Sequence, residues 1–411
     1  MTAQRLAVTL LLSLTLLLPR SAVALVEYHS DDNAFSLRLS GYLKTLALGL
    51  TPSLPGTEDG AEDFSRARLM LDGTLGAYVS WSVHYEHFAV VNPLKETTAG
   101  LFTGSSATNR QRLSLLPLDW TIKDTGSLFW QHELDRLNVR FSFPAADIVV
   151  GRQAISWGVG RFWNPSDIFI GFSPVQIDRE YKTGVDAVTM KVPLGSATQL
   201  ETVYAAFGED FRDQSTGARV RTTVRKFDLG MMAAKSFTDF VTGPFFDGEI
   251  RGAGIRGEFT FTHNTTEPHP KEPRTFFRAV SSADYRFANS LYMLFEYYYN
   301  GFGTTDPGEY TARAKSERRT RGEIFNVGRH YIGSSLEYEL HPLVNVALST
   351  QWNLLDQSVL LGPLLNISLS DEADLQTGAY FPFGTGLVGQ HVKSEYGLYP
   401  KVYYLQLRLY F

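Results

Sequence analysis

The chain has 411 residues with 38 basic and 43 acidic side chains, which gives a formal net charge of −5. This mild acidity gives no sign of nucleic-acid binding, and the absence of cysteine excludes disulfides, thiolate metal ligands and haem attached through cysteine. There is no long apolar run after residue 24, whereas aromatic side chains are abundant (28 Phe, 20 Tyr and 6 Trp), which excludes a helical membrane protein and suits strands that turn alternate residues toward lipid.

The first 24 residues have the features of an export signal. Arg5 supplies a short basic region, Leu6 to Leu18 form an apolar run, and Ala22, Val23 and Ala24 form a small-x-small cleavage site. The run is shorter than the roughly 20 residues that a spanning helix needs, although a retained membrane anchor is the alternative. We therefore predict a signal peptide over residues 1–24 and a single domain over residues 25–411.

From residue 35 onward, apolar and polar residues alternate in segments bounded by turn residues. A side-chain period of two predicts strands with one apolar and one wet face. In chain order, the predicted strands are 35–50, 63–73, 78–91, 133–143, 147–155, 185–192, 198–207, 218–223, 226–235, 239–246, 249–262, 275–287, 291–300, 328–340, 343–355, 358–370, 375–381 and 400–411. Most are long enough for a tilted membrane crossing of about 9–11 residues.

The order of tight and long connections tests the strand count. Both ends of a single-chain barrel lie on the same side of the membrane, so the strand number is even and tight turns alternate with long loops. The tight turns fall on one side, and the loops 92–132, 156–184, 262–274, 301–327 and 383–399 on the other, only if the weak segment 218–223 counts as a strand. We therefore predict an all-β fold, a transmembrane antiparallel up-and-down β-barrel of 18 strands, with 16 as the next choice.

Charge in the middle of a strand marks the face turned away from lipid, because an Arg or Lys at the bilayer midplane costs about 2–4 kcal/mol. The predicted pore-lining residues are Arg38, Lys44, Arg66, Arg68, Arg136, Arg140, Arg408, Glu296, Glu337 and Glu339. The basic residues come from the first, second, fourth and last strands, which closure brings together as a basic wall, while the glutamates form a partly acidic wall some strands away. Mutual neutralisation of these charges in a packed lumen is the alternative.

Three further arginines are interpreted as locally compensated. The sequence predicts pairing of Arg256 with Glu258, and of Arg278 and Arg286 with Asp284.

The segment 156–182, after the fifth strand, is too rich in aromatic and apolar residues for a loop in water. Such residues favour burial, and the nearest place for it is the barrel interior. We predict that this loop folds inward and narrows the bore, and an aromatic cap on the rim is the alternative. Its candidate constriction residues are Trp157, Arg161, Trp163, Asp167, Asp178 and Arg179.

Two stretches resemble porin-like outer-membrane β-barrel proteins of Gram-negative bacteria. The run Gly151-Arg152-Gln153, followed by Trp157-Gly158 and by residues 163–167 (WNPSD), is similar to a stretch in poorly characterised members of that group. The last strand, which alternates in polarity and ends on Phe411, is similar to the strand that barrel-assembly machinery reads. The resemblance implies a bacterial outer-membrane location, with membrane lipid and lipopolysaccharide around the barrel, and a loop after the fifth strand that folds inward. It does not specify a substrate.

The sequence indicates no enzyme and no cofactor. Alternation puts His84 and Glu86 on one face and His87 on the other, so they cannot share a metal. The glycine run 252–257 matches a dinucleotide fingerprint in letters only, because it sits in a strand without a following helix. A nucleophile elbow is also missing, which weakens the hypothesis of an outer-membrane hydrolase.

Two functions are therefore ranked above the hydrolase hypothesis. The first is a porin-like channel for passive or mildly selective diffusion of small hydrophilic solutes, with some anion preference from its basic wall. The second is a barrel scaffold that sheathes a periplasmic or extracellular partner such as a multihaem cytochrome, which an open barrel interior would favour. A homo-oligomer or a periplasmic partner stays open.

A basic cluster occurs in the predicted loop 301–327. Its members are Arg313, Lys315, Arg318, Arg319 and Arg321. They could bind lipopolysaccharide phosphates or a partner, and a solvated loop is the alternative.

Overall fold

The structure is a computed structural model that describes residues 25–32, 34–53, 58–92, 102–103, 114–266 and 272–411. The predicted signal peptide, residues 1–24, lies outside the described residues. Among the described residues, no helix combines the length and the apolar character needed to cross a membrane.

Eighteen antiparallel strands, each paired with its neighbour in the chain, form a sheet that closes where the first strand pairs with the last. Their bounds are β1 (Phe35–Thr51), β2 (Gly60–Leu75), β3 (Val79–Val91), β4 (Leu128–Phe143), β5 (Ala146–Gln153), β6 (Val185–Pro193), β7 (Thr198–Ala206), β8 (Gln214–Val224), β9 (Phe227–Ser236), β10 (Asp239–Ile250), β11 (Ala253–Asn264), β12 (Thr275–Arg286), β13 (Tyr292–Asn300), β14 (His330–His341), β15 (Val344–Asn353), β16 (Ser358–Ser370), β17 (Ala373–Phe383) and β18 (Lys401–Tyr410). The predicted barrel of 18 strands is confirmed, and the weak eighth strand is a full partner of β7 and β9.

The two ends of the barrel differ. Tight turns join β2 to β3 and β4 to β5 at the end that also holds the carboxy-terminus, here called the turn end. Long connections join β5 to β6, β13 to β14 and β17 to β18 at the opposite end, here called the loop end. This is the alternation expected of a barrel whose two chain termini lie on one side.

The seam between β1 and β18 is closed by two different segments. The Phe411 N–H donates to the Gly41 carbonyl at 3.0 Å, and the Gly41 N–H donates to the Phe411 carbonyl at 2.8 Å. Beyond Gly41, the partner of β1 is a short strand that was not predicted, Val26–His29, which places Val26 opposite Leu39. The start of the described chain therefore completes the sheet edge that β18 leaves open.

A second missed strand lies inside the predicted loop 92–132. Asp119–Thr125 pairs with the loop-end half of β4, whose turn-end half pairs with β5. This hairpin places Trp120 against His132, close to His87 and Trp130, on the outward face of the barrel. Aromatic rings at this level are typical of the girdle at a membrane interface.

The alternation along β18 separates an outer from an inner face. Tyr403 and Leu405 point outward, as lipid-facing residues do, and are exposed. Val402, Tyr404 and Gln406 point inward and are buried. Inward residues are buried because loops enter the lumen. The largest buried apolar cluster includes residues of β1, β2, β3, β13, β14, β16 and β18 and of these loops.

The loop end carries the few helical turns. The connection between β13 and β14 contains the helices α1 (Tyr310–Ala314) and α2 (Glu317–Thr320), preceded by the 3₁₀ turn Pro307–Glu309. Further 3₁₀ turns are Phe211–Asp213 and Tyr396–Leu398. A two-residue hairpin, Leu387–Val388 with His391–Val392, lies between β17 and β18.

Candidate constriction site

The connection between β5 and β6, residues 154–184, is here called the constriction loop. It has no regular secondary structure, yet Trp157 is 1 % exposed and Phe169 is 0 % exposed. The loop contacts lumenal residues of β1, β8, β11, β12, β13 and β15, so it crosses the interior. The prediction of an inward-folded loop is therefore confirmed, and the alternative of a cap on the rim does not describe it.

A single glutamate on β13 holds one stretch of the constriction loop. The Glu296 carboxylate, 0 % exposed, accepts the backbone N–H of Arg161 at 2.7 Å and those of Phe162 and Trp163 at 2.9 Å each. Hydrogen bonds to an ionised acceptor are about twice as strong as neutral ones. Glu296 thus lies on the predicted lumenal face, but its carboxylate is enclosed by the loop, which it positions.

Aromatic packing also holds this stretch of the constriction loop in place. The Trp163 indole stacks on Tyr298 with ring centroids 5.3 Å apart, and its Nε1 donates to the Asn326 side chain at 2.8 Å. The ring of Phe162 lies over Gly333, where any larger side chain would collide with it. Trp163 therefore joins the constriction loop both to β13 and to the connection between β13 and β14.

Residues 165–167, in the middle of the constriction loop, bond to β11 and β12, and an ion pair also links this stretch to the end of the loop. The Ser166 hydroxyl donates to Glu258 on β11, and Arg278 on β12 donates to the Pro165 carbonyl at 2.8 Å. Asp167, predicted as a constriction residue, is buried and pairs with Lys182 at 2.5 Å. Burial lowers the pKa of Lys182, and the Asp167 carboxylate opposes that shift. Asp167 therefore links the middle of the loop to its carboxy-terminal end.

The basic residues of β2 share the lumen with carboxylates that neutralise them. Arg68 bonds to Glu86 on β3 at 3.0 Å and also to Asp135 on β4, and Arg66 lies 3.1 Å from Glu86. Arg136 pairs with Asp135 at 2.6 Å. Removing one partner of such a buried pair is costly, because the other charge then stays buried alone.

Asp135 reaches this cluster through an irregularity in β4. His84 is opposite Arg136 whereas Tyr85 is opposite Leu134, so Asp135 is an extra residue. A β-bulge of this kind breaks the two-residue alternation and leaves both Asp135 and Arg136 buried. For this reason the alternation of polar and apolar residues does not predict Asp135 as a lumenal group.

The constriction loop supplies two further carboxylates to the same wall. Lys44 on β1 lies 2.6 Å from Glu180 and 3.2 Å from Asp178. Burial opposes ionisation of Asp178, but Lys44 and Arg66 hold its pKa below the ordinary value. Tyr181 follows these acids and places its ring 4.6 Å from the Arg68 guanidinium.

We call this group the ion-pair cluster. It consists of four cations (Lys44, Arg66, Arg68 and Arg136) and four carboxylates (Glu86, Asp135, Asp178 and Glu180). Four of the predicted basic residues do lie side by side on one wall, but each of these four has a carboxylate within 4 Å. The geometry here is that of the predicted alternative, in which the charges neutralise one another.

The other predicted residues lie around this cluster. Arg38, Arg140, Glu337 and Glu339 are exposed toward the turn end of the lumen. Arg408 lies 3.9 Å from Asp374, next to Lys44 across the seam. Arg161 is exposed beside the Glu296 anchor, and Arg179 donates to the Ser173 carbonyl at 2.7 Å. The carbonyl of Trp157 accepts a hydrogen bond from Arg219 at 3.2 Å.

The predicted local pairs are wrong in detail. Arg256 pairs with Asp284 and with Asp247 instead of Glu258, while Arg278 and Arg286 donate to backbone carbonyls. The side chains that can reach Arg256 lie on the neighbouring strands and not on its own strand, so the strand register decides which carboxylate pairs with it. Ser282, not Asp284, lies opposite Arg256 on β12, and Asp284 is its diagonal neighbour.

The two long connections at the loop end also pack into the lumen. Glu395, between β17 and β18, accepts hydrogen bonds from Tyr331, Asn353 and the Val327 N–H. Burial raises the pKa of Glu395, although the Tyr331 hydroxyl opposes the shift. Arg318, from the predicted basic cluster, is buried and pairs with Asp239 and Glu272 at 2.6 Å each. Its charge is therefore neutralised by carboxylates of the same molecule.

No group of three or more histidines and carboxylates suited to a metal occurs among the described residues. His84 faces inward, 3.1 Å from Asp72, whereas His87 faces outward and receives the Trp130 N–H.

Solved structures of bacterial outer-membrane porins have this architecture. OccAB4 of Acinetobacter baumannii superimposes with a TM-score of 0.55 at 8 % identity, over 91 % of this chain and 98 % of that one. OccAB3 of the same organism gives 0.55 at 9 % identity over 91 % and 99 % of the two chains, and OccK11 of Pseudomonas aeruginosa gives 0.54 at 8 % over 91 % and 95 %.

No protein-family model and no curated protein matched the sequence. At these identities the likeness concerns the fold. The chain has the fold of bacterial outer-membrane porins, and the predicted resemblance is confirmed at that level.

Proposed function

We propose that this protein is an outer-membrane channel through which small hydrophilic solutes diffuse passively, with the turn end toward the periplasm. The observation that carries the proposal is the constriction loop, which is fixed across the lumen of an 18-stranded barrel by Glu296 on one wall and Lys44 on another. Barrels of 16–18 strands are too wide for side chains alone to fill. A firmly anchored loop is a way to set the bore of such a barrel.

We propose mild selectivity for this channel. The ion-pair cluster combines four cations with four carboxylates on the wall that was predicted to be basic. Selectivity in pores follows the net field of the lining charges. Paired charges leave a small net field, so the anion preference expected from the arginines alone is reduced.

Recordings of the purified protein in planar bilayers test the proposal. We expect stepwise conductance increments with a reversal potential close to zero in a KCl gradient. A pure, heat-modifiable barrel that gives no increments at all would contradict a channel function.

No observation favours the scaffold alternative. A barrel that sheathes a partner needs an interior left open by the constriction loop, and in this structure the loop packs against the interior wall at Glu296, Glu258 and Gln351. Co-purification of a haem protein with the barrel would support that alternative instead. The hydrolase hypothesis receives no support from the described residues either, and the absence of lipid turnover by the purified protein is the expected result.

A further inference from the structure

The connection between β13 and β14 lies on the loop-end side of the constriction loop, and we call its residues 301–327 the cover segment. On one side of the lumen its Arg318 pairs with Asp239 of β10 at 2.6 Å. On another side its Val327 N–H donates at 3.2 Å to Glu395, which lies between β17 and β18. The cover segment therefore reaches across the loop end of the lumen.

Little space remains between the cover segment and the constriction loop. A Cβ atom at Gly171 of the constriction loop would lie 3.3 Å from the carbonyl oxygen of Gly322 in the cover segment. A cavity of about 20 Å³ remains between the two segments and the side chains of Arg278 on β12 and Tyr298 on β13. Such a volume has room for one water molecule and not for a solute. The docked cover segment therefore closes the route along β12 and β13.

The two ends of the cover segment lie side by side. The Thr304 N–H donates to the Val327 carbonyl at 3.0 Å, and the side chain of Asn300, the last residue of β13, donates to the Gly328 carbonyl at 3.0 Å. At Gly303 a side chain would collide with the Gly328 carbonyl. A loop whose ends meet is a compact unit. It can move about these ends while β13 and β14 stay paired.

The docked cover segment buries charged groups that are incompletely bonded. Arg313 is 9 % exposed, yet its Nε and Nη1 have no hydrogen-bond partner in the described part of the chain, and neither has Oε1 of Glu323. The buried apolar cluster that joins the cover segment to β12 has three members, Phe276, Phe302 and Ile324. Buried polar atoms without partners cost free energy that contact with water relieves. This arrangement favours undocking more than a fully bonded or largely apolar contact would.

We infer that the cover segment is a lid, which closes the channel at the loop end when it is docked and lets solutes pass when it moves away about its two ends. The inference rests on the proposed channel function and adds a gate to it. The ion pairs of Arg318 with Asp239 and Glu272 hold the lid in its docked position. The constriction loop, anchored by Glu296 and Lys44, stays in place and sets the bore of the open channel.

A cross-link between the cover segment and the constriction loop tests the inference, because the chain has no cysteine of its own. In the double variant Gly171→Cys with Gly322→Cys, the two Cβ atoms would lie 3.3 Å and 3.7 Å from the carbonyl oxygen of the other residue, a separation suited to a disulfide. We expect conductance in planar bilayers under reducing conditions, its loss after oxidation and its return on renewed reduction. Gly322 has a φ of +70°, and the strain of a side chain there is present in both redox states.

The single variants Gly171→Cys and Gly322→Cys are the controls for the cross-link, and each should conduct equally before and after oxidation. Conductance that persists in a double variant whose two thiols have joined within one chain would overturn the inference. Thiols of the double variant that stay free under oxidant would overturn it as well, because the two segments would then not meet.

Arg318→Gln tests the lid without a cross-link. The variant leaves Asp239 and Glu272 buried without their counter-charge in the docked state, so the ratio of open to closed time should rise by about tenfold or more. Lys315→Gln is the matched control, since Lys315 is a cation of the same segment that is exposed, and it should leave this ratio unchanged. An unaltered ratio in Arg318→Gln would overturn the inference while the channel function stands. Absence of conductance in every one of these proteins would instead contradict the channel function itself.

Discussion

The carboxylate of Glu296 on β13 accepts the backbone N–H of Trp163 in the constriction loop at 2.9 Å. The N–H groups of the two preceding residues bind the same carboxylate. One wall residue therefore fixes three consecutive peptide groups of a segment that has no helix or strand to satisfy them. Because a buried backbone N–H must find an acceptor, the position of the loop depends on this side chain.

Glu296→Gln should loosen the constriction loop. The amide keeps the shape of the carboxylate but offers one acceptor oxygen in place of two and no charge, so the anchor should weaken by about 1.5–3 kcal/mol. We expect larger and noisier single-channel conductance with assembly unchanged. Glu337→Gln is the control, because Glu337 is exposed on the neighbouring strand, and the current noise that loop motion causes should be unaltered there. An unchanged conductance in Glu296→Gln would mean that the loop is held mainly by Trp163.

Neutralising either partner of one ion pair should change the ion selectivity, and the change should have opposite signs for the two partners. Lys44→Gln removes a cation from the balanced cluster and should favour cation passage, whereas Asp178→Asn removes a carboxylate and should favour anions. A unit charge at about 4 Å in water is worth about 1 kcal/mol, so permeability ratios should change about two- to fivefold. Reversal potentials in a KCl gradient measure this change.

The double variant Lys44→Gln with Asp178→Asn is the internal control for that experiment. It restores the charge balance, so its reversal potential should return close to that of the unaltered protein. Arg66→Glu and Arg136→Glu should each change the ratio toward cations. Single variants that all change selectivity in the same direction would show that the loop had moved.

The strands could be predicted from the sequence because lipid outside and polar groups inside impose a period of two on every crossing. Even the weak segment 218–223, within β8, was found, since the number of strands must be even. Val26–His29 and Asp119–Thr125 were missed because neither is a full crossing, and each only extends an edge that a neighbouring strand leaves unpaired.

The constriction loop could be located from its aromatic content, but its anchors could not. The three N–H groups at Glu296 depend on loop conformation, which alternation does not describe. The partners of the arginines depend on register and, for Asp135, on a bulge. A sequence shows that a charge is lumenal, whereas its partner is set by neighbours that lie far away in the chain.

Gly41→Ala should impair closure of the barrel. A Cβ at Gly41 would lie 2.6 Å from the Phe411 ring and closer still to the Arg68 carbonyl. Gly49→Ala is the matched control on the same strand, since nothing lies within 4 Å of a Cβ there. We expect a smaller heat-modifiable fraction for Gly41→Ala and an unchanged fraction for the control. An equal heat-modifiable fraction in the two glycine variants would contradict this account of the seam.

Phe411→Ala should lower the free energy of unfolding by about 1–3 kcal/mol, because the contact of its ring at the seam is lost.

The connection between β13 and β14 should dock more firmly at low pH. Burial, reinforced by the negative charge of Asp239, raises the pKa of Glu323 from 4.5 to about 7, although Arg321 and Arg318 oppose the shift. Because this pKa is raised, the docked state binds the proton more tightly than the undocked state. The stabilisation is complete below pH 4.5 and is lost as the pH rises through about 7.

Hydrogen exchange of residues 310–327 should therefore be slower at pH 5 than at pH 8 after correction for the intrinsic exchange rate, and single-channel conductance should be steadier at pH 5. Glu323→Gln keeps the side chain neutral at every pH, so both differences should largely disappear and protection should stay high at pH 8. Glu317→Gln, in the same connection but exposed, is the control and should keep the pH dependence. Protection that increases between pH 5 and pH 8 in the unaltered protein would show that Glu323 is charged in the docked state and is stabilised by Arg318 and Arg321.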